Sequence, residues 1–340
     1  MKERDSNIEL FRIVATMMIL ILHCNGWLLH DYGGIDTWEA NRGFLVGLAR
    51  RTIQSLCVIG VDCFVLISGY YSIKPKLKSL INLFTLLFFF YVGGYLLSYA
   101  LGGEFTWKHF AKSCLAFSRP NWFIQSYLFL MLLAPMINAF VEKSSEKQMT
   151  LYTLLYMGCT FYFDCLRDSE YFYFNGGYSV TSLMLIYLVG RYLKLYGVDK
   201  LNRLPSYLPL LFYVLSVIVL ILLYYLPDWG LIRYHSPFVI VSSVLLFYLF
   251  IRLPKFNNKV INWIGVSALS VFICHTCTDT MFEFLCTTNI KLFTNQTFGL
   301  YCFEMLGVNL CIFAVSILLD KLRLLLFKPL FYWTSKLYKI

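Results

Sequence analysis

The sequence predicts an all-α, polytopic integral membrane protein with about ten transmembrane helices and both termini on the cytoplasmic side. Three observations carry this expectation. Of the 340 residues, 59% are hydrophobic and only 14% are charged, with a mean hydropathy of +0.65, whereas a soluble domain carries about 25% charged residues. Apolar runs near the ~20 residues that cross a ~30 Å hydrocarbon core recur from one end of the chain to the other. The polar breaks between them alternate in basic content, as expected of segments that orient membrane proteins. A soluble globule is excluded on these grounds. The formal net charge of +10 is then an orientation signal, and no nucleic-acid partner is implied.

Reading apolar runs against polar breaks places helices at about 8–29, 53–73, 79–101, 122–141, 148–163, 179–196, 207–226, 236–252, 260–285 and 299–319. The first has no small-residue cleavage site after it, so it reads as a retained helix and not as a removable signal peptide. With the N-terminus inside, 19 of the 29 basic residues fall on inner segments and 9 on outer ones, Arg12 lying within a helix. An even number of helices follows. No heptad repeat, low-complexity stretch or linker interrupts the chain, which gives a transmembrane domain over 1–320 and a basic tail over 321–340. Apolar residues at 324–327 and 331–333 suit that tail to an interfacial helix on anionic lipid.

The eleven cysteines are spread singly through apolar stretches, as small packing residues and not as a disulfide framework. Cys274 and Cys277 flank His275 with CxxC spacing, but no second pair accompanies them, so no metal is expected. Ionisable groups within hydrocarbon cost at least ~2.5 kcal/mol each and usually mark function. Arg12 and His23 are eleven residues apart, about 20° past three full turns, so they share one helical stripe roughly 16 Å apart along the axis. Asp62 lies in the outer half of the second helix, about 18 Å above Lys74 by helical rise. At that depth its carboxylate suits orienting His23 as in triad chemistry, or simply pairing with a neighbouring helix. His275, with Asp279 four residues on, is a second intramembrane candidate, although a helix-packing polar contact fits it better; a histidine bridging two helices is the alternative for His23.

These residues resemble the bacterial membrane acyltransferase family 3, which O-acylates surface glycans. The resemblance rests on the opening Asn7-Ile-Glu-Leu-Phe-Arg12, the ten residues between Arg12 and His23, and Gly60-Val-Asp62 leading to Ser68-Gly69-Tyr. Asn121-Trp122-Phe123 leading through Tyr127 to Pro135 and Asn138, and Leu269 to His275, continue it in order. The resemblance implies a cytoplasmic acyl-coenzyme A donor, most commonly acetyl-CoA, an acceptor glycan outside, and His23 as the essential residue with Arg12. Arginines commonly follow the Ser-Gly pair in that family, and here Lys74 and Lys76 stand there. The candidate site is therefore His23, Arg12 and Asp62 for catalysis, and Arg12, Ser68, Lys74 and Lys76 for the donor. Trp122, Gln125 and Tyr127 are the candidates for the acceptor. Some relatives carry an extracytoplasmic hydrolase-like domain after the helices, and this sequence ends at Ile340 without one.

The expected activity is O-acylation, as an O-acetyltransferase, of a cell-surface or lipid-linked glycan hydroxyl in the bacterial inner membrane. Outer aromatics such as Trp27, Trp107, Trp229 and the run from Tyr171 to Phe174 suit either sugar stacking or an interfacial belt. A transporter or flippase for a glycan or acyl group is the competing class, since it too lines a membrane path with polar groups. It is disfavoured because the sequence shows no internal repeat or paired broken helices.

Overall fold

A computed structural model describes residues 5–26, 42–115, 121–167, 174–226, 230–276 and 279–337, without the side chains of 279–280 and 335–337. The described chain is helical, with no strand. In chain order the helices are α1 (Ser6–Asn25), α2 (Phe44–Cys57), α3 (Gly60–Tyr71), α4 (Leu77–Ala100), α5 (Trp107–Cys114), α6 (Trp122–Lys143) and α7 (Glu146–Thr160). There follow α8 (Val180–Tyr192), α9 (Leu208–Leu223), α10 (Pro237–Ile251), α11 (Lys259–Gly265), α12 (Ala268–Thr276), α13 (Asp279–Asn295), α14 (Phe298–Leu326) and α15 (Lys328–Leu337). Among the described residues, six helical stretches are long and apolar enough to cross a bilayer: α1, Phe44–Tyr71, α4, α6, Lys259–Thr276 and α14, with α9 and α10 as shorter apolar helices. The chain is thus a multi-pass helical membrane protein.

Local chemistry sets the helix ends. Asn121 caps α6 by accepting from Ile124 N at 3.2 Å. Ser145 and Gln148 form a reciprocal capping box at α7, satisfying two of its otherwise orphaned donors. Ser179 accepts from Ser182 N at the start of α8. Wide π turns extend α7 over Phe161–Leu166 and α8 over Leu193–Gly197, a form that recurs at functional places in helices.

The chain divides into two compact units. The first holds 1–22, 35–74 and 121–262. Its tightest crossing is α3 on α8, where a Cβ at Gly69 would come within 2.3 Å of the Tyr187 carbonyl oxygen and one at Gly190 within 2.7 Å of that of Leu66. Only glycine lets two backbones touch in this way, the usual means of joining helices where lipid removes the hydrophobic drive. Phe11 of α1 packs its ring 5.1 Å from Phe247 and 4.8 Å from Phe250. The α1 N-terminus is tied down by Asn7 donating to Leu253 O at 2.6 Å and Ser6 donating to Asn262 Oδ1 at 2.8 Å.

The second unit holds 23–34, 75–120 and 263–340. Its anchor is Arg323, 2% exposed. The guanidinium donates to Asp320 at 2.8 Å, to Asn82 Oδ1 at 3.0 Å and to Thr85 Oγ1 at 2.9 Å. Much of α4 and α14 stays uncovered, with large apolar side chains such as Leu96, Leu97, Phe303 and Leu318 exposed. In a helix of this hydropathy such a face is a lipid contact.

The structure moves two expected boundaries. The second helix begins at Phe44, before the expected 53, so Arg50 and Arg51 lie inside α2 at 2% and 3% exposure and not on an outer loop. Arg51 is accommodated because its guanidinium lies 4.1 Å over the Tyr225 ring. At the other end α14 continues past 320 to Leu326. Its polar residues find partners there, Lys321 donating to Trp263 O at 2.6 Å and Ser267 Oγ at 2.8 Å beside the Arg323 cluster. Within the basic tail, Lys328–Leu337 forms α15.

Candidate active site

His23 lies in the last turn of α1, in the second unit, and its Nδ1 is 2.8 Å from Nε2 of His275 on α12. Nδ1 of His275 is in turn 2.8 Å from the Val271 carbonyl oxygen. A carbonyl only accepts, so His275 Nδ1 carries its proton and, in the neutral ring, Nε2 is the acceptor. His23 Nδ1 therefore donates to it, and the lone pair of neutral His23 falls on Nε2. The backbone thus fixes two tautomers in series, as an outer partner fixes a metal-bound or catalytic imidazole. Phe272 stands 6.4 Å from the His23 ring and 5.7 Å edge-on from His275. Cys24 donates to Asn309 Oδ1 at 3.4 Å and Asn289 donates to Cys24 O at 2.7 Å, holding the end of α1 in place.

Arg12, on the same helix but in the first unit, pairs with Glu9 at 2.7 Å. Ser68 and Tyr127 share a hydrogen bond of 2.9 Å, and Tyr127 lies within electrostatic reach of Arg12 and Tyr187. Beyond Ser68 the α3 terminus is clamped in a closed ring. Ile73 N donates to Tyr187 Oη at 3.0 Å, Tyr187 donates to Asn138 Oδ1 at 2.9 Å, and Asn138 donates to Ile73 O at 3.1 Å. This ring holds Ser72 at φ 61, a left-handed conformation costly without glycine. Lys74 and Lys76 follow, both exposed.

Asp62 is fully buried and accepts from Ser243 at 3.4 Å. Within the second unit His23 has a histidine partner, and within the first unit Asp62 contacts α10 through Ser243.

A second polar cluster joins the ends of α7, α8 and α10 in the first unit. Asp164 Oδ2 is 2.9 Å from both Arg233 and His235, and Ser182 Oγ is 3.0 Å from His235 Nδ1. The order of groups is that of an acyl-transfer triad, but Ser182 and His235 are fully buried, so the cluster braces the helix ends. Burial, aided by Arg233 and opposed by Asp164, holds His235 below its ordinary titration range. Ligand atoms of Asp164, Cys165 and His235 lie within 4.8 Å of one another. Arg233 already neutralises that carboxylate, which suits an ion-pair cluster better than a cation. Gly177, at φ 94, carries the chain past Tyr234 where a Cβ would meet its N at 2.9 Å.

On this brace sit three aromatics: Trp122 stacks on Tyr234 at 5.6 Å and meets Tyr178 edge-on at 4.8 Å. Gln125 is exposed nearby in sequence. Trp107 is 76% exposed in the second unit. Trp27, Trp229, residues 171–173 and Cys277 lie outside the described residues, as does the Asp279 side chain.

A family model described as an acyltransferase domain matches residues 5–319, nearly the whole chain. The chain belongs to acyltransferase family 3. Comparisons with curated proteins and with solved structures each return no match. In this acyltransferase, His23 and His275 are brought together across 252 positions of sequence. Ser68 and Tyr127, singled out for donor and acceptor respectively, are brought into direct contact. His275 was visible as an ionisable residue in an apolar run, but its pairing with His23 was not. Tyr187, Tyr178 and Tyr234 gave no signal, being three among 25 tyrosines.

Proposed function

We propose that this acyltransferase moves an acyl group, most readily acetyl, from acyl-coenzyme A at the cytoplasmic face to a hydroxyl of a surface or lipid-linked glycan, in the bacterial inner membrane with both termini inside. The observation that carries the reading is the Val271–His275–His23 relay. It leaves His23 Nε2 basic and oriented, as general-base attack by a hydroxyl on an acyl carbon requires. His23 Nε2 takes the proton of the sugar hydroxyl while its oxygen bonds to the thioester carbonyl carbon. As the C–S bond breaks, the imidazolium returns that proton to the departing sulfur, so His23 ends unchanged. His275 is a positioning residue in this scheme.

Arg12, Ser68, Lys74 and Lys76 are assigned to the donor, where cations meet phosphates and the clamped α3 terminus keeps the segment rigid. Lysines act there as point charges, without the bidentate geometry of arginine. Trp122, Gln125 and Tyr127 are assigned to the acceptor. Trp122 with exposed Tyr178 presents aromatic faces on which a sugar ring can stack. Asp62 is assigned a supporting role through Ser243.

Mass spectrometry of surface glycan from cells carrying wild-type or His23→Ala protein tests the scheme. A mass difference of about 42 Da, one acetyl group transferred to a hydroxyl, should appear with the wild type and be lost with the variant, by 10²–10⁴-fold in rate. Near-normal acylation by a well-expressed His23→Ala protein would overturn it.

A further inference from the structure

Arg191 of α8 is nine-tenths buried, and its Nε is enclosed without an acceptor. Among the described residues it has no hydrogen bond or ion pair, whereas Arg12, Arg233 and Arg323 each have a carboxylate. Of the acids at the facing ends of α6 and α7 in sequence, Glu146 pairs with Lys200 and Glu142 is exposed. A buried cation without a counter-charge costs several kcal/mol by desolvation, so its retention at this position calls for an anion supplied from elsewhere.

The surroundings are rigid. Gly190, the preceding residue, makes the backbone crossing with Gly69. Tyr187, one turn earlier on α8, closes the ring that pins Ile73 at the end of α3. Helical side chains lean toward the N-terminus, so Arg191 extends over the turn that carries Tyr187. Lys74 follows the clamp in sequence. Lys194, one turn after Arg191, has its ammonium 4.6 Å over the Tyr70 ring. A planar guanidinium held by a fixed backbone is the geometry that receives a phosphate through two parallel hydrogen bonds.

We propose that Arg191 binds a phosphate group in the first unit, with Lys74 and Lys194 as flanking charges. Taking coenzyme A as the source of that phosphate rests on the donor reading above; a lipid headgroup carries the same chemistry. The test uses the purified full chain in phosphatidylcholine nanodiscs, with and without phosphatidylglycerol, and titrates coenzyme A and phosphate-free pantetheine. Arg191→Gln should weaken coenzyme A binding about 10- to 100-fold, the scale of two charge-assisted hydrogen bonds, and leave pantetheine binding unchanged.

Thermal stability should hold or rise, because the substitution removes an unpaired buried charge. Arg191→Lys, which keeps charge without the fork, should give an intermediate loss and serves as the readout if the glutamine variant does not accumulate. Unchanged coenzyme A affinity with lost stabilisation by phosphatidylglycerol would keep the phosphate site and assign it to lipid. Wild-type protein that binds no coenzyme A would sink the donor reading and leave the lipid arm to judge Arg191. Unchanged response to both probes would overturn the proposal.

Discussion

His275 gives the most discriminating perturbation of the chemistry. Its Nε2 is the acceptor 2.8 Å from His23 Nδ1; His275 is 2% exposed and His23 is half-buried. His275→Ala removes that acceptor, and with it the contact that selects the His23 tautomer. Partners of this kind are worth about 10- to 100-fold when removed, or about 1.4–2.7 kcal/mol in barrier. The loss should be smaller than for His23→Ala, because the base itself survives. His275→Gln places an amide oxygen near the former Nε2 and should restore the rate to within about fivefold, since that oxygen accepts the same proton. The assay is acyl content of surface glycan over time, normalised to folded protein in the membrane. Nitrogen-15 spectra of histidine-labelled protein add an independent reading, with His23 and His275 both protonated at Nδ1 in their neutral forms. Equal rates for wild type and His275→Ala, or equal losses for the alanine and glutamine variants, would refute the relay.

Reporter fusions at Lys76, Gly197 and Ile340 should all report cytoplasmic; an outward signal at Ile340 with an inward one at Lys76 would require an odd number of crossings between them. Asp62→Asn preserves size and the Ser243 contact, so acylation per folded molecule should stay within about threefold, with any deficit in membrane accumulation; a steep fall in rate would return Asp62 to orienting His23. Gly190→Leu should abolish stable insertion or folding, because even a Cβ there meets Leu66 O at 2.7 Å; normal accumulation would refute the close crossing. His235 stays neutral in the fold because burial lowers its proton affinity, whereas the unfolded chain protonates near 6.5. Stability should thus be full above pH 6.5 and fall as pH drops below it, and His235→Gln should flatten that slope in thermal melts.

The helical membrane fold was legible because each crossing must carry its own apolar run and satisfy its backbone internally. Where charge and helix coincide, the same rule misled: Arg50 and Arg51 read as a loop, and the Tyr225 ring that receives Arg51 lies far off in sequence. Lys321 and Arg323 read as a tail for the same reason. Arg12 and His23 could be set on one stripe because helical periodicity links residues on one helix. The contact of His23 with His275 could not be read, since the two lie 252 positions apart and only three-dimensional packing joins them. Arg191 was counted among ordinary inner positive charges, a reading that composition supports and burial without a partner does not.

The choice of partner for His23 also bears on which donor the site suits. A carboxylate beside a catalytic imidazole stabilises the imidazolium that forms as the proton is taken, but it places a formal charge in hydrocarbon. A neutral imidazole backed by the Val271 carbonyl orients the base without that permanent charge. It also gives less help to the developing cation, so a larger share of the driving force must come from the acyl donor. A thioester supplies this, because its thiolate leaves far more readily than an alkoxide from an oxygen ester. On the proposed scheme the relay suits a thioester donor, and an oxygen-ester analogue that binds equally well should acylate slowly. Comparable rates from the two donors would mean that His23 receives stabilisation that this relay does not provide.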